Sequence, residues 1–222
     1  MAIEKIVVKK SVQVRAQEEE ERFNFVWGFI GTNRTGKSIT AREYAEQWRA
    51  SKPDHYQIVG FDPQKRFAHL LDKEIFPEDR DWAIDMQKYR NTLLILDDYR
   101  IINESDRPVE GLSNLMYFRA EYNIDIIYIC HNPSLVINTL TYFTSHYFLF
   151  YTETLDGSFK KKIMNYKLCI QGQRLINNYV NTYGRGKFPN FPHVVVDCEK
   201  RELFAFNMDR KDEQPTKRIQ SA

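Results

Sequence analysis

The chain holds only three cysteines, Cys130, Cys169 and Cys198, and no two of them share a CxxC spacing. An odd, scattered set excludes a disulfide framework and a zinc site built on paired cysteines, and reads as reduced thiols of an intracellular protein. Long apolar runs are missing too. Ile124–Cys130 and Tyr147–Tyr151 are strand-length, far short of the ~18 residues that a membrane span requires. Glu4, Lys5, Lys9 and Lys10 break up the first residues, which excludes a signal peptide. Charge of one sign is scarce: 32 basic residues face 30 acidic ones, a net charge of +2. That balance excludes a generally basic nucleic-acid coat and leaves any contact with DNA to local patches. No internal repeat is present. The expectation is a soluble, cytoplasmic protein with no membrane partner.

What is there suffices for one domain. At 222 residues, 42% hydrophobic and 14% aromatic, the chain can bury one large α/β core but not two. Residues 1–22 read as an N-terminal extension, with a β-like piece at Ile6–Val8 and a solvated acidic run at Glu18–Glu21. Residues 23–209 read as the folded domain, with a core over 23–151 and a β-rich addition over 152–209. The charged tail 210–222, containing Pro215, reads as disordered.

Strands are predicted at Phe23–Ile30, Tyr56–Phe61, Thr92–Leu96, Ile124–Cys130 and Tyr147–Tyr151. Helical spacing covers Gly36 to Ala50, Leu112–Glu121 and Leu135–Phe143, with short helices over 64–90. This alternation predicts a mainly parallel sheet flanked by helices. After residue 152 the pattern changes to antiparallel additions. Asp156-Gly157 reads as a hairpin turn pairing Phe148–Glu153 with Phe159–Tyr166. Val194–Asp197 and Leu203–Asn207 read as a further pair.

The strongest motif is Gly31-Thr32-Asn33-Arg34-Thr35-Gly36-Lys37-Ser38, a complete GxxxxGK[ST] between a predicted strand and a predicted helix. Glycines let backbone N–H groups turn inward around a phosphate, and the helix start adds its positive end. In such a loop the lysine, Lys37, reaches the β- and γ-phosphates, and the Ser38 hydroxyl ligates Mg²⁺. Leu93-Leu94-Ile95-Leu96 then ends in Asp97-Asp98. Asp97 is the candidate for the Mg²⁺ shell and Asp98 for orienting or deprotonating the attacking water. A fourth strand ends in His131-Asn132-Pro133, where a polar side chain can touch the γ-phosphate or that water. One strand lies between the two motifs in sequence, the order of an additional-strand P-loop NTPase. ATP and Mg²⁺ are the expected ligands.

The segment Leu115-Met116-Tyr117-Phe118-Arg119-Ala120-Glu121-Tyr122-Asn123, running into Ile124–Cys130 and His131-Asn132-Pro133-Ser134, resembles the FtsK–HerA group of DNA-pumping ATPases. It is most similar to the small viral genome-packaging ATPases and the zonula occludens toxin-like phage proteins. The resemblance covers roughly residues 23–151. In that group a helix bearing an arginine enters an apolar strand that ends in a polar sensor, usually glutamine, two residues before a proline. The resemblance implies an arginine finger at Arg119, acting on the ATP of a neighbouring subunit, with Arg34 and Arg185 as rivals. It also implies a homo-oligomeric ring that moves DNA into a capsid, with a capsid or portal protein as partner. Two departures stand out. Asp98 replaces the group's usual glutamate, and His131 its glutamine.

The residues leave alternatives open. Leu112, Leu115, Met116 and Arg119 fall on one helical stripe, yet an arginine near a helix C-terminus is also favoured by the dipole and by snorkelling. Lys160-Lys161-Lys162 and Tyr183-Gly184-Arg185-Gly186-Lys187-Phe188 suit a DNA backbone, or are merely a solvated edge. A nucleotide-gated assembly module with slow hydrolysis and a small-molecule kinase remain rival functions.

Overall fold

Strands that are apolar throughout must be covered on both faces, and the sheet is built around three of them. The computed structural model describes residues 7–8, 24–76, 78, 81–98, 109, 111–131, 136, 138–153, 165–184 and 190–208. Within these, β1 (Val7–Val8), β2 (Val26–Ile30), β3 (Gln57–Phe61), β4 (Lys73–Glu74), β5 (Thr92–Leu96), β6 (Ile124–Cys130), β7 (His146–Leu149), β8 (His193–Asp197) and β9 (Glu202–Phe206) form one sheet. Its spatial order is β1-β9-β8-β7-β2-β6-β5-β3-β4. All pairs from β7 to β4 are parallel, whereas β7–β8 and β8–β9 are antiparallel.

Every residue of β5 and β6 is buried, which explains their unbroken apolar runs. On one face α1 (Lys37–Ala50) packs Ala41, Tyr44, Ala45 and Trp48 against Phe29, Ile95, Ile127 and Phe148. On the other face lie α2 (Leu112–Phe118), α3 (Asn138–Phe143) and α4 (Tyr166–Tyr183). They bury Leu115, Met116, Leu140, Ile176 and Val180 against Ile30, Leu94, Ile126 and Tyr147. Strand β6 separates β2 from β5 in space, so the additional strand is the one that precedes His131. Register then sets the site: Ile30 lies opposite Cys130, and Leu96 opposite Tyr128. The residues that follow these strands therefore emerge at one edge of the sheet.

The region after residue 152 differs from its expected hairpin. Tyr166 does not extend a strand; it opens the eighteen-residue helix α4, and the antiparallel partner of β7 is β8. Asp156-Gly157 and Phe159 lie outside the described residues. The addition is thus helical as well as β. Helix α4 escapes a periodicity reading because its inward stripe, Cys169, Gly172, Gln173, Ile176, Asn177 and Val180, is half polar. The polar members have work to do at the end of β7. Gln173 Nε2 donates to Phe150 O at 2.8 Å, Asn177 Nδ2 to Thr152 O at 2.6 Å, and Asn177 Oδ1 accepts from Thr152 N at 3.1 Å. Buried backbone polar groups must be paired. Asn177→Ala should therefore cost about 1–3 kcal/mol by stranding the Thr152 amide and carbonyl. A lower denaturant midpoint at unchanged slope is the expected reading. The Val194–Asp197 and Leu203–Asn207 pair is present as β8 and β9. Strand β1 pairs in parallel with β9, so Val7 and Val8 join the sheet.

Candidate nucleotide site

The loop between β2 and α1 is tied at its root to both neighbouring strands. Gly31 N donates to Cys130 O at 3.3 Å, and the amide and hydroxyl of Thr32 both donate to Tyr151 O, at 2.9 and 3.2 Å. Thr35 Oγ1 closes the loop on Thr32 O at 2.8 Å. Gly36, the residue before α1, has φ +98, a conformation L side chains rarely adopt. A Cβ there would also overlap the ring of Phe191. The glycine is thus demanded twice, by the turn and by β8's approach segment. The first turn of α1 carries no acidic residue to compete for an anion.

Lys37 folds back over this loop. Its Nζ donates to Thr32 O at 2.7 Å and lies 3.3 Å from His131 Nδ1. Burial pulls its pKa down to about 8, against the opposing pull of nearby acidic groups, Asp97 and Asp98 among them. At the end of β5, Asp97 is 1% exposed. Burial raises its pKa to about 6, while the Arg66 guanidinium acts in the opposite sense. Asp98 follows with φ +52, so the acidic pair turns sharply out of the strand. Asp97 Oδ2 and Asp98 Oδ1 are both buried without a hydrogen-bond partner.

His131 joins the loop to the acidic pair. Its Nδ1 also lies 3.3 Å from Gly31 O, and its Nε2 lies 4.0 Å from Asp98 Oδ2. Nδ1 therefore faces both a donor, Lys37 Nζ, and an acceptor, Gly31 O, at equal distance, while Nε2 faces Asp98. A cleft of about 290 Å³ opens beside the loop, lined by residues 33–39 with Arg42 and Arg66.

Arg66 is the residue that the sequence reading missed. Its Nη1 donates to Ser38 Oγ at 2.6 Å and lies 3.8 Å from Asp97 Oδ2. The pointer to it was the position of Phe61-Asp62-Pro63-Gln64-Lys65-Arg66-Phe67, directly after a parallel strand next to β5. Ligands sit at such carboxyl ends.

Arg119 lies elsewhere. Its carbonyl accepts from Ile124 N, at the start of β6, whereas His131 follows that strand's end. Seven residues of strand separate the two by roughly 20 Å. Its guanidinium turns inward, donating to Met116 O at 2.7 Å and stacking 4.6 Å from the Phe143 ring centre. Burial pulls its pKa down. This pose fits the reading of an arginine at a helix C-terminus lying over apolar neighbours. Arg34 is exposed, with φ +61, at the crest of the loop. Asn132, Arg185 and Lys160-Lys161-Lys162 lie outside the described residues, while Tyr183 and Gly184 close α4.

A mainly parallel sheet with a complete GxxxxGK[ST] loop between β2 and α1, and β6 inserted beside the loop strand, is the P-loop NTPase fold of the additional-strand type. Solved structures share that fold. The genome packaging NTPase B204 from Sulfolobus turreted icosahedral virus 2, in complex with ATP-gammaS, superposes at a TM-score of 0.54 and 9% identity, over 82% of this chain and 96% of that one. The cytoplasmic domain of the type VII secretion ATPase EccC from Thermomonospora curvata superposes at 0.58 and 10% identity, over 81% of this chain but 23% of its own. No protein-family model and no curated protein matches the sequence. Among the described residues, no helix is long and apolar enough to cross a membrane.

Proposed function

We propose that this chain binds Mg-ATP at the loop 31–38 and hydrolyses it, as one subunit of a homo-oligomeric ring that moves DNA into a viral capsid. The observation that carries the nucleotide reading is the pair of buried carboxylate oxygens on Asp97 and Asp98 that no hydrogen bond satisfies, both within the electrostatic reach of Lys37. The Arg66 guanidinium stops 3.8 Å short of Asp97 Oδ2. Unsatisfied buried acids are costly, and a bound cation and an attacking water are partners they fit. Ser38 and Asp97 already share the Arg66 guanidinium, so one cation can reach both. That cation, when bound, neutralises phosphate charge as it develops.

In this reading Lys37 exchanges Thr32 O for phosphate oxygens. Asp98 holds or accepts the proton of the attacking water, and His131 between Asp98 and Lys37 senses loss of the γ-phosphate. Asn132 is assigned the same neighbourhood on sequence alone. Arg119, at the far end of β6 from its own loop, is assigned to the loop of a neighbour. Exposed Tyr117 and Tyr142 both pack edge-on against Phe143 beside it, and a second copy is the occupant we assign to that face. The likeness to a packaging NTPase supports the DNA reading at the level of fold. Measuring ATPase rate against added DNA at several protein concentrations tests catalysis, substrate and assembly together. A rate indifferent to both sinks the ring.

Asp98→Asn should keep Mg-ATP binding and lose most turnover, because it removes a base and spares the metal ligand. Asp97→Asn should instead raise the Mg²⁺ concentration needed for binding. A fully active Asp98→Asn protein would place the base elsewhere. One observation favours a second reading, an assembly module with slow hydrolysis. Aspartate is a methylene shorter than glutamate, and Asp98 leans on His131. A stoichiometric burst of hydrolysis without turnover would select it.

A further inference from the structure

Arg66 belongs to none of these roles, yet it is the best-placed cation in the cleft. Its backbone is pinned. Asp62, at the end of β3, accepts from Arg66 N at 2.9 Å and Phe67 N at 2.7 Å through its two carboxylate oxygens. Phe67 is fully buried, and Lys65, with φ +56, is ion-paired to Glu74. The side chain, 43% exposed, swings from this fixed base over the cleft that it lines.

Its present partners cannot be its only ones. A guanidinium is a donor only, so it occupies one side of the Ser38 hydroxyl oxygen, the atom on which a metal would also sit. Two cations on one hydroxyl, beside one carboxylate, repel. A site holding Mg²⁺ on Ser38 and Asp97 must therefore move Arg66 off the hydroxyl. The acceptors that enter the cleft with the metal are phosphate oxygens, which match a guanidinium fork. Which phosphate follows from position. The loop backbone would cradle the α- and β-phosphates, while Arg66 sits on the side of Asp97, the carboxylate that would hold a metal beside the terminal phosphates.

We propose that Arg66 is a phosphate-binding residue acting within its own subunit, resting on Ser38 and Asp97 and passing to the terminal phosphate of a bound triphosphate. It thereby makes the site select triphosphate over diphosphate. This rests on reading the loop as a nucleotide site.

The test is calorimetric binding of ATPγS and ADP, each with Mg²⁺, to the parent, Arg66→Gln, Arg66→Lys and Lys37→Ala. Glutamine keeps much of the length and a donor for Ser38, and thermal unfolding confirms that each variant is folded. Arg66→Gln should weaken ATPγS by about tenfold or more, the worth of a charge-assisted hydrogen bond. ADP should change by less than about threefold. Arg66→Lys, which keeps the charge but loses the fork, should fall between. Equal losses for the two nucleotides, or none, overturn the assignment. Lys37→Ala separates the failures. If it weakens both nucleotides while Arg66→Gln binds like the parent, only the Arg66 role falls. If Lys37→Ala itself binds both like the parent, the nucleotide site falls and Arg66 with it.

Discussion

Lys37→Ala should lose about a hundredfold or more in nucleotide affinity or turnover, because it removes two or more charge-assisted hydrogen bonds to phosphate. The fold should survive. Among the described residues Lys37 Nζ makes its hydrogen bonds to Thr32 O and His131, and the burial that lowers its pKa to about 8 is a cost to the folded state, not a support. Truncation relieves that cost, so the unfolding temperature should not drop. Loss of binding together with a stable fold assigns the lysine to phosphate. A variant turning over at the parental rate would sink the site assignment.

Arg119→Ala should bind ATP normally and hydrolyse it slowly. Arginine fingers are worth ~10³–10⁵ in rate in well-studied phosphoryl transfer, far beyond what a lost helix-end contact produces through stability. The inward pose sharpens the test. To reach a neighbour, the guanidinium must leave Met116 O and the Phe143 ring, so Phe143→Leu should loosen that rest position and leave turnover largely intact. Mixing Arg119→Ala with Lys37→Ala subunits should restore part of the activity, since an interface can then pair an intact loop with an intact arginine. Activity that merely tracks the fraction of intact subunits refutes action in trans.

How much of this was legible beforehand depends on what each residue faces. Strands β2, β5 and β6 were readable because both their faces are covered, so their apolar runs carry no ambiguity of register. The loop was readable because its whole motif, Gly31 to Ser38, lies in one stretch of sequence between a strand and a helix. Asp97 and Asp98 were readable because they follow β5 directly. Helix α4 was not, since Gln173 and Asn177 are buried for the sake of Thr152 and Phe150, partners that no local pattern announces. Arg66 was missed for a related reason. Its role comes from β3 lying next to β5, a neighbour relation that appears only when the sheet is assembled. The inward turn of Arg119 depends likewise on Phe143, which α3 brings to it.

The clasp between α4 and the chain beyond β7 has a mechanical side. Tyr151 O carries both the amide and the hydroxyl of Thr32, while the residues on either side of Tyr151 are held by Gln173 and Asn177. The phosphate loop therefore hangs from a short rail gripped by one long helix. Whatever docks on that helix, or pulls on it, is connected to the loop through three consecutive residues. A displacement of α4 would reach the bonds at Thr32 along that path. If the loop exchanges nucleotide as proposed, α4 is the element through which an outside load would reach it.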